Sequence, residues 1–157
     1  MKEIRILLCL CCILGIAALS FAAEKAPADW KLFAVSTGES ADDTYHYYDA
    51  KTLTYTTEGI VKVWGKKVYS TNEDIYKEHL ELWELNIPKK QARMISSTAI
   101  LKDGDKKVPA RIIEGPINIY DGTILGTLTS ACNRSMKGQS PEKGLPLILD
   151  SDGLPVK

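Results

Sequence analysis

The chain has 157 residues, of which 45% are hydrophobic and 25% are charged, with 20 basic and 20 acidic side chains. This apolar content excludes a disordered chain, because it is enough to bury the core of one domain. The balanced charge excludes a general electrostatic attraction to nucleic acid, so no nucleic-acid partner is expected.

The first 22 residues have the pattern of a secretory signal peptide. A basic start from Met1 to Arg5 precedes an apolar run from Ile6 to Leu19, and Ser20-Phe21-Ala22 places small residues where signal peptidase cuts. An apolar core of about 14 residues is too short to span a bilayer, and no later stretch reaches the length of a membrane helix. The sequence predicts residues 1–22 as a signal peptide and a mature chain exported to the periplasm, the cell surface or the medium, without a transmembrane segment.

The mature chain begins with a predicted flexible lead at residues 23–28, and β-rich segments follow. Trp30 to Ser36 and Thr44 to Asp49 are predicted strands, and the second is dense in aromatic residues. A loop containing Gly59 then joins two further strands within residues 53–64, as in a hairpin.

The segment from Ser70 to Ile87 supports two interpretations. Its first four residues fit a helical capping box. Apolar residues also recur at helical spacing, namely Tyr76, Leu80, Trp83 and Ile87. Residues 79–85, however, alternate as a strand does. We favour a turn or short helical piece near residues 71–77, followed by the fifth strand.

Residues 92–101 and Val108 to Ile113 are the predicted sixth and seventh strands, joined by the hairpin turn Asp103-Gly104. Pro109 lacks a backbone donor, so it favours an edge position or a bulge. Gly115-Pro116 then interrupts the chain.

A helix is predicted from residue 122 to Cys132, with Asp121 or Thr123 as its N-cap. Its apolar positions share one face: Ile124, Leu125 and Leu128. From residue 133 to 157 the spacing of Gly and Pro predicts a tail without regular structure, in which the apolar residues 145–149 have the alternative of docking against the body.

These elements predict a single α+β domain over residues 29–132. We expect an antiparallel meander β-sheet of about six to seven strands, with one C-terminal α-helix packed on one face.

Short motifs in a fixed order resemble the bacterial surface-adhesin protein E family over residues 30–132. They are Trp30-Lys31, Tyr47-Tyr48-Asp49, Val61-Lys62-Val63-Trp64, Leu82-Trp83-Glu84-Leu85-Asn86, Arg93-Met94-Ile95-Ser96, Asp103-Gly104 and the segment from Gly122 to Cys132. The resemblance implies an antiparallel sheet with a packed helix and export. It also implies, as in some members, adhesion to host extracellular-matrix proteins or haem binding.

The chain departs from the pattern of that family at two places. Family members commonly carry a cysteine where this chain has Ile87, so the bridge to Cys132 that the resemblance implies is lost. Pro116 and Ile117 occupy a region where the family often has a tryptophan. Signal removal leaves Cys132 as the single cysteine. We expect a reduced, largely buried thiol near Ile87, with a disulfide-linked homodimer as the alternative.

Tyr45, His46, Tyr47 and Tyr48 form the first group of candidate binding residues. Strand alternation places Tyr45 and Tyr47 on one face and the other two on the opposite face. Haem or metal ligation by His46 or His79 needs convergence with tyrosines or carboxylates, which the spacing does not enforce. We expect no metal site and no cofactor, with haem as the alternative. A half-buried aromatic sheet is the competing interpretation.

Lysine pairs beside predicted turns form the second group: Lys66, Lys67, Lys89, Lys90, Lys106 and Lys107. Antiparallel strands bring some turns to the same end of a sheet, where these lysines would make a basic patch for anionic glycans or acidic protein segments. The competing interpretation is that the lysines solvate turns and protect edges.

The sequence contains no motif for a catalytic nucleophile, a metalloprotease or a phosphate-binding loop, so an enzyme is disfavoured. We expect an exported, non-enzymatic binding protein that binds a protein or anionic glycan at the cell envelope through a sheet face and basic turns. The alternatives are a periplasmic small-ligand or haem-binding protein and a structural envelope component.

Overall fold

The computed structural model describes residues 27–38, 42–70 and 75–156. The predicted signal peptide, its cleavage site and most of the predicted lead lie outside the described residues. Residues 71–74, the first part of the expected turn or short helix, lie outside them as well.

The described residues form one nine-stranded sheet and one helix. In chain order these are β1 (Trp30–Thr37), β2 (Asp43–Asp49), β3 (Thr54–Tyr55), β4 (Ile60–Tyr69), β5 (Tyr76–Asn86), β6 (Gln91–Leu101), β7 (Lys107–Pro109), β8 (Ile117–Asn118), α1 (Ile124–Met136) and β9 (Leu147–Leu149).

The strand order across the sheet is β7-β6-β5-β4-β2-β1-β9, with β3 beside β4 and β8 beside β6. All pairings are antiparallel except that of β1 with β9, which is parallel. The predicted α+β class is confirmed. The sheet has more strands than expected because the sequence pattern signalled neither β8 nor β9.

The segment after residue 75 is a strand and not a helix. β5 begins at Tyr76, so the expected turn or short helical piece near residues 71–77 does not extend to Tyr76 and Lys77. The strand pairs with β4 on one side and with β6 on the other over most of its length. Because both neighbours supply backbone partners, the cross-strand ladders override the helical spacing of the apolar residues.

The two faces of the sheet differ in what covers them. Val61, Val63 and Gly65 alternate along β4 toward the face that α1 covers, here called the inner face. Leu85 pairs with Val61 there, and Leu128 of α1 packs in the same buried cluster. Among the described residues, no helix or second sheet covers the opposite face, here called the outer face.

A bulge in β1 brings Phe33 into the core. The pairing with β2 shifts between Leu32 and Ala34, so one extra residue is accommodated at Phe33. Phe33 and Ala34 are therefore both buried, although they are adjacent in sequence. The Phe33 ring centroid lies 6.1 Å from those of His46 and Tyr48. These contacts connect the first strand to the inner face of the second.

The helix begins beside the sheet and is longer than expected. Thr123 is the N-cap, and its Oγ1 accepts a hydrogen bond of 3.1 Å from the Gly126 amide. A Cβ at Gly126 would collide with the Tyr120 carbonyl, so glycine allows the close approach of this turn to the helix. The helix continues past Cys132 to Met136, since no residue before Lys137 interrupts its hydrogen bonding.

The structure differs from the expectation of an irregular tail after residue 132. β9 adds a parallel strand beside β1, with Leu147 opposite Ala34 and Leu149 opposite Ser36. Leu149 is buried, so burial of apolar side chains on the body offsets the cost of ordering this segment.

The seventh strand is shorter than the predicted Val108 to Ile113. β7 covers only Lys107–Pro109, and it lies at the edge of the sheet, where Pro109 is tolerated. Residues 110–116 leave the sheet and run to β8. Ile113 of this segment faces the space between α1 and the inner face.

Candidate functional site

A cleft of about 230 Å³ lies between the inner face of the sheet and the first turns of α1. Its walls are largely apolar. They are formed by Phe33, Trp83, Ile113, Ile117, Ile124, Leu125 and Leu128. Concave apolar spaces with a few polar groups are the usual form of small-ligand sites.

Gly65 leaves the floor of the cleft without a side chain. The atoms nearest to a Cβ built there would be in the Trp83 ring, at 3.6 Å, and two backbone oxygens at slightly longer distances, which are ordinary contacts. The backbone of Gly65 does not require glycine, because its φ lies outside the left-handed region. The absence of a side chain at this strand position therefore creates space and does not relieve strain.

An ion pair forms the polar part of the floor. The Nζ atom of Lys67 lies 2.7 Å from Oε1 of Glu81, whose side chain is only 6% exposed. The Nε1 group of Trp83 donates a 3.0 Å hydrogen bond to the other carboxylate oxygen. Both oxygens of Glu81 are therefore engaged, while the Lys67 ammonium keeps donor capacity beyond its bond to Glu81.

His46 lies beside this pair and is buried. Its Nε2 atom is 3.0 Å from Oγ of Ser36. Burial, aided by the positive charge of Lys67 and opposed by the negative charge of Glu81, lowers the pKa of His46 to about 4. His46 is therefore neutral at pH 7.

The two histidines lie on the inner face, on either side of β4. His46 and His79 both pair with Lys67, from opposite sides, so two strand spacings, about 10 Å, separate their backbones. The Nε2 atom of His46 already contacts Ser36. His79 packs edge-on against the rings of Tyr69 and Tyr76. Within the described residues, no group of three or more His, Cys, Asp or Glu side chains is placed to hold a metal ion.

The structure separates the four candidate residues of β2 as alternation predicts. His46 and Tyr48 lie on the inner face and are buried. Tyr47 lies on the outer face opposite Lys66, and Tyr45 lies on the same face opposite Val68. Of these four residues, His46 and Tyr47 line the cleft, and strand alternation directs the side chain of His46, but not that of Tyr47, to the inner face.

Lys66 lies within an aromatic cluster on the outer face. Its Nζ atom is 4.7 Å from the centre of the Trp30 ring and 5.2 Å from that of Tyr47, distances typical of cation–π contacts. We call Trp30, Tyr47 and Lys66 the outer-face cluster.

The lysine pairs do not form one basic patch. Lys66 and Lys67 lie inside β4 and point to opposite faces, so their expected place beside a turn is wrong. Lys89-Lys90 lies in the turn between β5 and β6, and Lys106-Lys107 lies at the turn between β6 and β7. These two turns are at opposite ends of β6. β4 extends five residues beyond the expected strand end at Trp64, to Tyr69, which places Lys66 and Lys67 inside the strand.

Cys132 is a free thiol with no exposed surface. Burial raises its pKa to about 12. Ile87 packs against the same hydrophobic cluster, so an apolar side chain covers the core where the resembled family commonly has a cysteine.

Four residues of the cleft are not among the site residues predicted from the sequence: Phe33, Gly65, Glu81 and Trp83. Gly65 had a usable signal, because a glycine inside a strand often marks space or close approach. Alternation along β5 puts Glu81 and Trp83 on one face. No sequence signal indicated that Phe33 faces the cleft, because its position on the inner face depends on the bulge in β1.

Comparison with protein-family models, with curated proteins and with solved structures gives no match to this chain. Within the described residues, no helix combines the length and apolar character needed to cross a membrane.

Proposed function

We propose that this chain is an exported, non-enzymatic binding protein that takes a small, mainly apolar ligand in the cleft between α1 and the inner face. The observation that carries the proposal is an apolar cleft over a strand position, Gly65, that has no side chain. Close packing is the rule in protein interiors, so space of this size beside a helix and a sheet supports a binding role.

The polar groups of the cleft support binding more than catalysis. Ser36 and His46 have the contact of a nucleophile and a base. Ser36 does not line the cleft, however, and a histidine with a pKa of about 4 is a weak base at pH 7. Lys67 and Glu81 neutralise each other.

The test uses a neutral fluorescent probe, N-phenyl-1-naphthylamine, whose emission rises in apolar surroundings. We expect the mature protein to bind the probe and Gly65→Val to weaken binding by about tenfold or more, which is over 1.4 kcal/mol. The substitution places a branched side chain in the cleft, and its Cβ meets only ordinary contacts.

Ser96→Val is the matched control. Ser96 pairs with Leu82 in the same sheet, on the outer face, so the added carbon atoms do not enter the cleft. Near-ultraviolet circular dichroism establishes that both variants are folded. Unchanged probe binding in folded Gly65→Val, or equal loss in both variants, would contradict the proposed site.

A second candidate function is adhesion through the outer face, as expected from the resemblance to surface adhesins. The outer-face cluster favours it, because aromatic rings beside an ammonium group suit the apolar and acidic parts of an anionic glycan or a protein segment. The turns that carry Lys89-Lys90 and Lys106-Lys107 lie at opposite ends of β6 and do not form one basic surface. The proposed adhesion site is therefore the outer face of the sheet alone.

Binding to immobilised heparin and to extracellular-matrix protein tests this second candidate. We expect Lys66→Gln to reduce retention, while Lys62→Gln leaves it unchanged. Lys62 is a suitable control because it lies on the same strand and face but pairs with Glu84 at 3.7 Å. Equal retention of both variants and the parent would exclude the outer-face cluster as the adhesion site.

A further inference from the structure

Three charged residues line the cleft: Lys66, Lys67 and Glu81. The ammonium of Lys66 lies over the Trp30 and Tyr47 rings on the outer face, so the charges on the inner-face floor are those of Lys67 and Glu81, which are paired. Lys67 contacts one oxygen of Glu81, and Trp83 donates to the other. His46 adds no charge at neutral pH, because burial holds it in the neutral form. The polar floor of the cleft therefore has a net charge of zero at pH 7.

A ligand with a charged group would enter this cleft at a cost. Its charge would lose water against apolar walls such as Leu125 and Leu128, and the charges of Lys67 and Glu81 on the floor already pair with each other. An anion would have to displace Glu81 from Lys67 and leave a buried carboxylate without its partner. An uncharged ligand avoids both costs.

Hydrogen bonding sets a second requirement. Each oxygen of Glu81 already accepts one hydrogen bond, and only 6% of its side chain is exposed, so the carboxylate is less accessible to a ligand donor than the ammonium of Lys67 is to a ligand acceptor. The Lys67 ammonium has three donors, of which Glu81 takes one. About one third of the Lys67 side chain is exposed, so its free donors are accessible beside the cleft.

We propose that the ligand is an uncharged, mainly apolar molecule with a hydrogen-bond acceptor, such as a hydroxyl or carbonyl oxygen, that meets the ammonium of Lys67. This inference rests on the proposed function and names its ligand class. The Lys67 and Glu81 pair then acts as the specificity determinant, because it excludes carboxylates while the free donors of Lys67 remain available to an uncharged acceptor.

The experiment compares decan-1-ol with decanoate as competitors of N-phenyl-1-naphthylamine at pH 7, where the acid is ionised. Chain length is the same, so the head group alone differs. We expect decan-1-ol to compete at least about tenfold better in the parent protein. In Glu81→Gln, Lys67 becomes an unpaired cation, and we expect the preference to shift toward decanoate by about tenfold.

Glu84→Gln is the matched control. Glu84 also lies on β5 and is paired with Lys62 of β4, but on the outer face, so its loss should leave the preference unchanged. Stronger competition by decanoate in the parent protein would overturn the inference while leaving the proposed function intact. An unshifted preference in folded Glu81→Gln would overturn it too. If Glu81→Gln does not fold, the competition of decan-1-ol and decanoate in the parent protein decides whether the cleft prefers an uncharged ligand. Absence of probe binding in the parent would contradict the proposed function itself.

Discussion

The ammonium of Lys67 and the carboxylate of Glu81 meet at 2.7 Å on the inner face of the sheet, but their exposures are unequal. One third of the Lys67 side chain is exposed, whereas the Glu81 side chain is almost fully covered. Lys67 can therefore recover water if its partner is lost, and Glu81 cannot. Removing Lys67 should therefore lower the free energy of unfolding more than removing the charge of Glu81 does.

We expect Lys67→Met to lower the free energy of unfolding by roughly 3 kcal/mol, because it leaves a buried carboxylate without its counter-charge. Glu81→Gln should cost about 1 kcal/mol, since the amide oxygen can still accept from Trp83. Denaturant unfolding measures both values. Lys62→Met serves as the control, because its exposed contact with Glu84 should contribute less than about 1 kcal/mol. Equal losses of unfolding free energy in Lys67→Met and Glu81→Gln would contradict the greater burial of Glu81.

His46 should make the protein less stable as the pH falls from about 6.5 to about 4. The ordinary pKa of 6.5 applies to the unfolded chain, while burial lowers the folded value to about 4. Between these values the unfolded chain binds the additional proton, so acid favours unfolding, by up to roughly 3 kcal/mol. Below the lower value both states are protonated and no further loss arises from His46.

Denaturant unfolding of the parent and of His46→Gln across this pH range isolates the contribution of the histidine. We expect the difference in unfolding free energy between the two proteins to change with pH in this interval. Parallel pH profiles would show that His46 is not held neutral by the fold.

Tyr48→Phe should leave the unfolding free energy unchanged or raise it by about 1 kcal/mol. Tyr48 is fully buried, and its hydroxyl has no hydrogen-bond partner among the described residues. Burial raises its pKa to about 12. Removing an unsatisfied buried hydroxyl while keeping the ring costs little, because the phenyl group makes the same packing contacts. A clear loss of stability in chemical denaturation would show that the hydroxyl is bonded.

Cys132 should not react with a thiol reagent in the folded protein at pH 8. It is buried, and its raised pKa keeps the thiol protonated. Labelling should become rapid only in denaturant. A non-reducing gel should show a monomer band for both the parent and Cys132→Ser. Fast native labelling, or a dimer band that the substitution abolishes, would instead support the disulfide-linked dimer.

Local sequence signals predicted the elements whose partners are near in the chain. Alternation in β2 assigned His46 and Tyr47 to opposite faces, and the turn at Asp103-Gly104 joins β6 to β7 as expected. These assignments depend on the two-residue period of a strand and on turn chemistry. Both are properties of a short stretch of sequence.

The cleft was less predictable because it depends on contacts between distant segments. Phe33 reaches it through a bulge, and the Lys67 and Glu81 pair requires the register of β4 with β5. β9 pairs in parallel with β1, although more than one hundred residues of chain separate the two strands. No local sequence pattern predicts such a pairing. Tertiary pairing likewise decided between helix and strand for β5.

The docking of β9 predicts a specific result of limited proteolysis. Trypsin should cut first at Lys137 or Lys143, which are exposed in the turns after α1. The C-terminal fragment should stay bound after cutting, because β9 is hydrogen-bonded to β1 and Leu149 is buried. Size-exclusion chromatography followed by a denaturing gel measures whether the two fragments elute together.

Leu149→Ala should release the fragment after the same cut. Truncation of a buried leucine costs about 2 to 5 kcal/mol, which is large for a strand of three residues. Leu154→Ala is the control, because Leu154 is 60% exposed and its loss should leave the fragment bound. Release of the fragment from the nicked parent protein would show that β9 depends on chain connectivity for its place in the sheet. Retention in Leu149→Ala would assign its attachment to backbone pairing with β1 and not to burial of this side chain.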